Sequence, residues 1–412
     1  MFKQSRNPVA CFAHTNSRGK HIPFGIQYQD RLSHIYMIGK TGTGKTTLLD
    51  TLIMQDIENG HGVALIDPHG DFVDSVATRI SSQRQKDIIY MNVPDVTQPY
   101  GYNPLKYVVP EYRPLAASGI LEVFKKMWKD SWGQRLEHIL RNAILALLES
   151  PHAQLGDILT LLVDKDFRKE TVQNLENGRV RDFWLNEYEN YSYRLRADAI
   201  VPIQNKVGAF LADPTLNRIL TNPKQPINIR RIMDEGKILL VNLSKGRLGE
   251  DTAGLLGGLL VTTVGLAAFS RANKPENKRR DFYLYIDEFQ NFTTLSIANM
   301  ASELRKFHVG LVMAHQYLHQ LDPDIRYAVL GNAGTLISFR LGGKDAASIT
   351  REFLPIFAPE DLIFLPNYHI YLKLMINGAP SKPFSAETIV YDEAMYIQQQ
   401  LSHRPYPRSL MS

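Results

Sequence analysis

Short, uninterrupted apolar runs alternate along this chain with segments of helical spacing, and that alternation predicts most of its elements. Ile35 to Ile38 are four apolar residues in a row. After a glycine-rich turn, Leu48, Leu49, Leu52, Ile53 and Ile57 recur on one helical face that Gly60 closes. Further runs at Gly62–Asp67, Asp87–Asn92, Lys237–Asn242, Phe282–Phe289, Val309–Gln316, Thr335–Arg340 and Ile370–Met375 read as buried strands, and Ile22–Ile26 as a shorter one leading into the core. That makes about eight strands, continuous rather than alternating. Such runs signify a mostly parallel sheet covered on both faces. Residues before about 33 otherwise show little periodicity.

From about 115 to 225 the period becomes helical almost throughout, with Leu136, Leu140, Ala143, Ile144 and Leu147 on one stripe. Ser150-Pro151, Asn177-Gly178 and Asp213-Pro214 mark breaks between helices. Trp128, Trp132 and Trp184 all fall here and are read as core anchors rather than base-stacking platforms. Strands, then helices, then strands again predict an all-helical domain inserted into an α/β domain, closing near Asn222–Pro226. The expected division is 1–112 and 227–385 for the two parts of a nucleotide-binding domain, 113–226 for the insertion and 386–412 for a tail.

The glycine-rich turn carries the strongest chemical signal. Gly39-Lys40-Thr41-Gly42-Thr43-Gly44-Lys45-Thr46-Thr47 fits G-x-x-x-x-G-K-[ST] and lies between a strand and a helix, as a phosphate loop requires. Glycines let successive N–H groups converge on one concavity, and the following helix adds the positive end of its dipole. Lys45 would reach the β- and γ-phosphates of ATP, and the Thr46 hydroxyl would hold Mg2+. The second half of such a site is an acid at the end of a neighbouring buried strand. Asp287 supplies it, with Glu288 beside it to polarise water and Gln316 ending the next strand to sense the γ-phosphate. Arg305 and Arg340 are candidates for an arginine that stabilises transition-state charge, Arg305 from a neighbouring subunit. Asp67 and Asp71, after the second strand, are equally ligand-facing groups or turn caps.

Composition narrows the setting. With 44% hydrophobic and 22% charged residues the chain is ordinary globular material, and its net charge of +5 is compatible with nucleic acid without arguing for it. Its one cysteine, Cys11, excludes an internal disulfide and a multi-cysteine zinc site, and fits a reducing compartment. The opening Met1–Arg6 is polar rather than a leader. The longest apolar run, Leu255–Phe269, contains Gly257, Gly258 and Gly265 and is read as a buried helix packed through its glycines, not a bilayer span. Arg271, Lys274, Lys278, Arg279 and Arg280 form a basic cluster, read as a solvated loop, with DNA contact as the other reading.

Gly39–Thr47, Ile66–Asp71, Tyr285–Glu288, Leu304–Phe307 and Ala314-His315-Gln316, in this order, resemble the HerA/FtsK superfamily of DNA-pumping ATPases. Within it the likeness is greatest to the TraD/TraG-type coupling proteins of conjugation and type IV secretion. Asn103-Pro104-Leu105, Trp132–Arg135 and Asn332–Thr335 add local likeness. The resemblance implies a RecA-like P-loop NTPase with a doubly wound, mostly parallel sheet and an inserted all-α domain. It implies Lys45 and Thr46 at phosphate and Mg2+, Asp287 at the metal, Glu288 as catalytic carboxylate, Gln316 as γ-phosphate sensor and Arg305 as arginine finger. It further implies hexameric rings that draw DNA through a pore, with secretion, relaxosome or nuclease proteins as partners. Coupling proteins carry transmembrane helices ahead of the ATPase domain, and none is evident here. The expectation is therefore a cytoplasmic protein, peripheral to the membrane at most. An ATP-gated docking protein and a helicase-like ATPase paired with a nuclease are the alternatives. A kinase is disfavoured, since Asp287, Glu288 and Gln316 suit attack by water.

Overall fold

Each buried strand presents its residues alternately to two helical layers, which is why the apolar runs are unbroken. In the computed structural model, which describes residues 9–16, 19–129, 132–221 and 223–402, Tyr36 and Ile38 of β3 (Ile35–Ile38) enter one core, and Ile35 and Met37 the other. The remaining strands of the large sheet are β1 (Val9–Thr15), β2 (Pro23–Gln27), β4 (Gly62–Asp67), β5 (Ile88–Asn92), β6 (Ile238–Asn242), β7 (Phe282–Ile286), β8 (Val309–His315), β9 (Thr335–Ser338), β10 (His369–Lys373) and β11 (Phe384–Thr388). They form one 11-stranded sheet in the order β2-β1-β11-β10-β9-β3-β8-β7-β4-β6-β5. From β9 to β5 every pairing is parallel; from β9 to β2 every pairing is antiparallel.

The sheet is thus larger than the expected eight strands, and its extra part is antiparallel. β2 and β10 bury every other residue and leave the rest half-exposed. Such strands carry a weaker apolar signal than those buried on both faces. β1 mixes small residues with a terminal His14-Thr15 and has no clear period.

Helix α1 (Lys45–Glu58) follows the phosphate loop, and α2 (Asp71–Arg79) follows β4. Both pack on the face that contains Ile35 and Met37. Between the two-residue strands Tyr100–Gly101 and Gln225–Pro226, which pair with each other, the chain is almost wholly helical. That segment opens with α3 (Arg113–Met127) and α4 (Gln134–Glu149). Asn177 and Asp213, at two of the expected breaks, cap the helices after them with their side chains. Trp184 is wholly buried, while Trp128 and Trp132 are half-buried. The polar start Met1–Arg6 and Asn222, where the segment was expected to close, lie outside the described residues.

Leu255–Phe269 belongs to α5 (Glu250–Phe269), and its glycines are contact points. A Cβ on Gly257 would stand 2.2 Å from the Phe292 ring, one on Gly258 3.2 Å from Val123 of α3, and one on Gly265 2.9 Å from the Met300 sulfur. α5 is long and apolar enough to cross a membrane, yet most of its residues are buried in the protein core. Two later helices bear on the site: α6 (Leu295–Leu304) lies between β7 and β8, and α7 (Tyr391–Ser402) packs on α1 and β1.

Candidate active site at the carboxyl edge of the sheet

The phosphate loop is held by the strands on either side of β3. Gly39 N–H donates to the His315 carbonyl at the end of β8 (3.2 Å), and Lys40 N–H to the Arg340 carbonyl just past β9 (2.9 Å). The Thr43 hydroxyl closes the loop onto the Lys40 carbonyl (2.7 Å), and Tyr368 N–H donates to the Thr43 carbonyl (2.8 Å). Gly44 lies at φ +116, a region that disfavours side chains, and a Cβ there would also stand 2.9 Å from the Tyr368 ring. Thr41 and Thr46 are exposed on the loop and first helical turn, where α1 presents N–H groups without intrahelical partners. Lys45 is buried, its ammonium donating to the Gly39 and Lys40 carbonyls (3.0 Å to the latter). Burial lowers its pKa against the pull of Glu288 and Asp287, so the cation faces the acidic pair.

That pair sits just past β7, two strands from β3 and about 10 Å away at ordinary strand spacing. Asp287 N–H donates to the Ile66 carbonyl of β4 (3.2 Å), which fixes the tip against the sheet. The Asp287 carboxyl is pushed up to about 7, first by burial and then by the charges of Glu288 and Asp67. Glu288 is also buried and adopts a left-handed backbone, φ +49, a strained conformation of the kind that clusters at functional sites. Its carboxylate accepts hydrogen bonds from the Gln316 and Gln290 side-chain amides, the latter at 2.7 Å. Gln316 in turn accepts one from the Thr41 hydroxyl (3.0 Å). An unbroken side-chain line, Thr41–Gln316–Glu288–Gln290, therefore joins the phosphate loop to the acidic tip across the end of β8.

Sequence had left Asp67 open, and the structure decides for a cap. One carboxylate oxygen accepts from His69 N–H (2.8 Å) and the other from Phe72 and Val73 N–H (3.0 Å each) at the start of α2. Arg340 supports the loop through its carbonyl, while its guanidinium donates to the Leu365 carbonyl (3.3 Å). The basic cluster is not a freely solvated loop. Arg271 is buried, donating to the Phe307 and Arg280 carbonyls (2.7 and 2.6 Å) and facing Asp234 (3.2 Å). Arg280 bonds the Glu235 and Gly60 carbonyls (2.8 and 2.6 Å). A loop rich in arginine looks solvated in sequence, but its carbonyl partners lie on distant segments.

Arg305 is the one site candidate the fold keeps apart from the others. It follows α6, is exposed, and precedes β8, whose seven residues separate it from Gln316. At about 3.3 Å per residue that is roughly 23 Å. It lines a cavity of about 430 Å³ at the opposite edge of the sheet, together with His34, Asn332 and Lys373. Sequence reasoning missed Gln290, which bonds Glu288, and Tyr368, which covers Gly44. Gln290 lies two residues past Glu288 and its polarity was the available signal; Tyr368 is more than 320 positions from the loop and had none.

A parallel sheet whose central strand ends in this loop, with an acid pair two strands away, defines a P-loop NTPase of the RecA type. The chain matches the type IV secretion-system coupling protein DNA-binding domain family over residues 20–354, and it belongs to that family. Its fold is similar to unbound TrwBdeltaN70, a bacterial conjugative coupling protein (TM-score 0.65, 16% identity, 94% of this chain and 90% of that one). It is also similar to the plasmid coupling protein TrwB in complex with ADP and Mg2+ (0.63, 17%, 93% and 96%). VirB4 of Thermoanaerobacter pseudethanolicus shares the fold as well (0.64, 13%, 94% and 99%). Among curated proteins no sequence matches.

Proposed function

We infer that this chain is a coupling-protein ATPase that couples ATP hydrolysis to DNA movement in conjugative transfer or type IV secretion, working as a ring of identical subunits. The observation that carries this reading is the line Thr41–Gln316–Glu288–Gln290, which ties the phosphate loop to a buried carboxylate suited to act on water. In this reading the amides of Gly39, Lys40, Thr41, Gly42, Thr43, Gly44, Lys45, Thr46 and Thr47 cradle the phosphates. Lys45 leaves the loop carbonyls for the β- and γ-oxygens. Glu288, oriented by Gln316 and Gln290, accepts the proton of the attacking water, and Gln316 reports the γ-phosphate to the loop.

The residues fit a magnesium ion. Asp287 is crowded by Glu288 and Asp67, and a divalent cation relieves that repulsion. Asp287 and the exposed Thr46 would hold it, and when bound it neutralises charge on the β- and γ-oxygens. The paired strands Tyr100–Gly101 and Gln225–Pro226 support 113–226 as an inserted domain between nucleotide-binding parts 1–112 and 227–385, with 386–412 as a tail. A cytoplasmic site of action fits this reading. DNA is the partner, with relaxosome, secretion or nuclease proteins beside it.

The stranded position of Arg305 supports the ring. Its side chain makes no hydrogen bond or ion pair among the described residues, so it is available to a neighbour's γ-phosphate. Arg305→Ala protein should fold and bind ATP but hydrolyse it at least about a thousandfold more slowly. Mixing it with Lys45→Ala subunits should restore part of the rate, because Arg305 from one meets an intact loop on the other. Full activity of Arg305→Ala alone, or no recovery on mixing, would remove the trans assignment. The broader reading is tested by steady-state ATP hydrolysis with and without DNA and by triplex displacement. A rate indifferent to every DNA and no displaced strand would refute it.

A further inference from the structure

The loop that follows Glu288 is gripped from outside the sheet by one helix of the helical segment. On α3, the Lys126 ammonium donates to the carbonyls of Gln290 (2.7 Å), Asn291 (3.0 Å) and Thr293 (3.0 Å). One turn earlier on the same helix, the Glu122 carboxylate accepts from Ser296 N–H in the first turn of α6 (2.6 Å). The helix that makes these contacts is itself seated closely on α5. A Cβ on Gly119 would stand 2.6 Å from Thr262, and one on Gly258 3.2 Å from Val123.

Lys126 as a residue is exposed, but its ammonium is enclosed by the carbonyls it meets, and burial pushes its pKa down to about 8. Three carbonyls converging on one ammonium leave it a single geometry, since the ammonium has three donors. The held segment starts two residues past Glu288, and Gln290 donates its own side-chain amide to the Glu288 carboxylate (2.7 Å). Two hydrogen-bonded links thus connect α3 to that carboxylate. Through Ser296 the same helix touches α6, which leads to Arg305.

We propose that Lys126 is a positioning residue through which the helical segment sets the orientation of Glu288 for hydrolysis. The proposal rests on the reading of Glu288 as the carboxylate that works on water. Lys126 acts through the Gln290, Asn291 and Thr293 carbonyls that it holds. Its part is to hold the Gln290–Thr293 backbone so that the Gln290 amide meets Glu288 in one orientation. A shift of α3 on binding DNA would then reach the hydrolytic step directly.

The test compares Lys126→Met, Lys126→Arg and Glu288→Gln as full chains. Lys126→Met should lower kcat roughly ten- to hundredfold, the scale of a misplacement near 1 Å. Affinity for a fluorescent ATP analogue and the melting temperature should stay as in the parent, and DNA should bind but no longer stimulate. Lys126→Arg, which keeps carbonyl-seeking donors, should recover most of the rate. Hydrogen exchange should rise at the 290–293 amides and not in the phosphate loop. Added to Glu288→Gln, the Lys126→Met change should cause no further loss in single turnovers. Unchanged kcat in Lys126→Met with an inactive Glu288→Gln would overturn the positioning role alone. So would a loss matched by weaker nucleotide binding and a lower melting temperature, or an additive loss in the double variant. Full turnover by Glu288→Gln would overturn the reading of Glu288 itself.

Discussion

Glu288→Gln protein is expected to bind ATP as the parent does and to hydrolyse it about a hundred- to ten-thousandfold more slowly, the usual contribution of a positioned general base. The amide is nearly isosteric: its oxygen can still accept from Gln316, and its NH2 can be met by Gln290 if that amide turns its oxygen, which has no partner among the described residues, toward it. What it loses is the ability to take a proton. Equilibrium binding of a fluorescent ATP analogue and phosphate release under saturating ATP measure the two halves separately. A variant that turns over normally would show that the line from Thr41 to Gln290 serves structure and not chemistry.

Lys45→Ala should fail one stage earlier, with nucleotide affinity falling about a hundredfold or more. Hydrogen bonds to charged groups are each worth about 1.5–3 kcal/mol, and in the proposed reading Lys45 serves two phosphates. A loss of about 3 kcal/mol is more than a hundredfold in Kd. Removing the side chain also frees the Gly39 and Lys40 carbonyls that its ammonium now engages, so the loop loses a brace from within. Isothermal titration with ATP and magnesium reads the effect. Unchanged affinity would mean that the triphosphate lies elsewhere.

Much of this site was legible because its signals are local. The phosphate loop is a contiguous motif with glycines at +76 and +116 in φ, and those angles are what the residue type permits. Asp287 and Glu288 stood out as adjacent acids ending a strand buried on both faces. Two adjacent acids at the end of a run such as Phe282–Ile286 are costly to bury without partners. The parallel part of the sheet was readable for the same reason, continuous apolar runs. Of the antiparallel part, β10 and β2 were readable as the runs Ile370–Met375 and Ile22–Ile26, whereas β1 and β11 were not. β1 is mixed and β11 half-buried, and they are held by register to each other across most of the chain, through Ala13 and Thr388. Sequence also gives no hint of contacts such as Lys126 with Gln290, where a lysine in a helical pattern reads as solvated until the carbonyls around it are seen. Arg271 misled in the same way.

The helical segment is not a separate body tethered by a neck. Ile139, Leu140 and Trp184 belong to the same continuous core as Ile66, Leu284 and Ile286 of the sheet, so the helical segment has no apolar interior separate from that face of the sheet, while the second core, on the face of α1 and α2, takes no residue from it. Calorimetry should accordingly record one cooperative melting peak for the apo protein. Residues 113–226 produced alone should expose the α3 face that carries Ile120 and Phe124, both buried here, and bind hydrophobic dye.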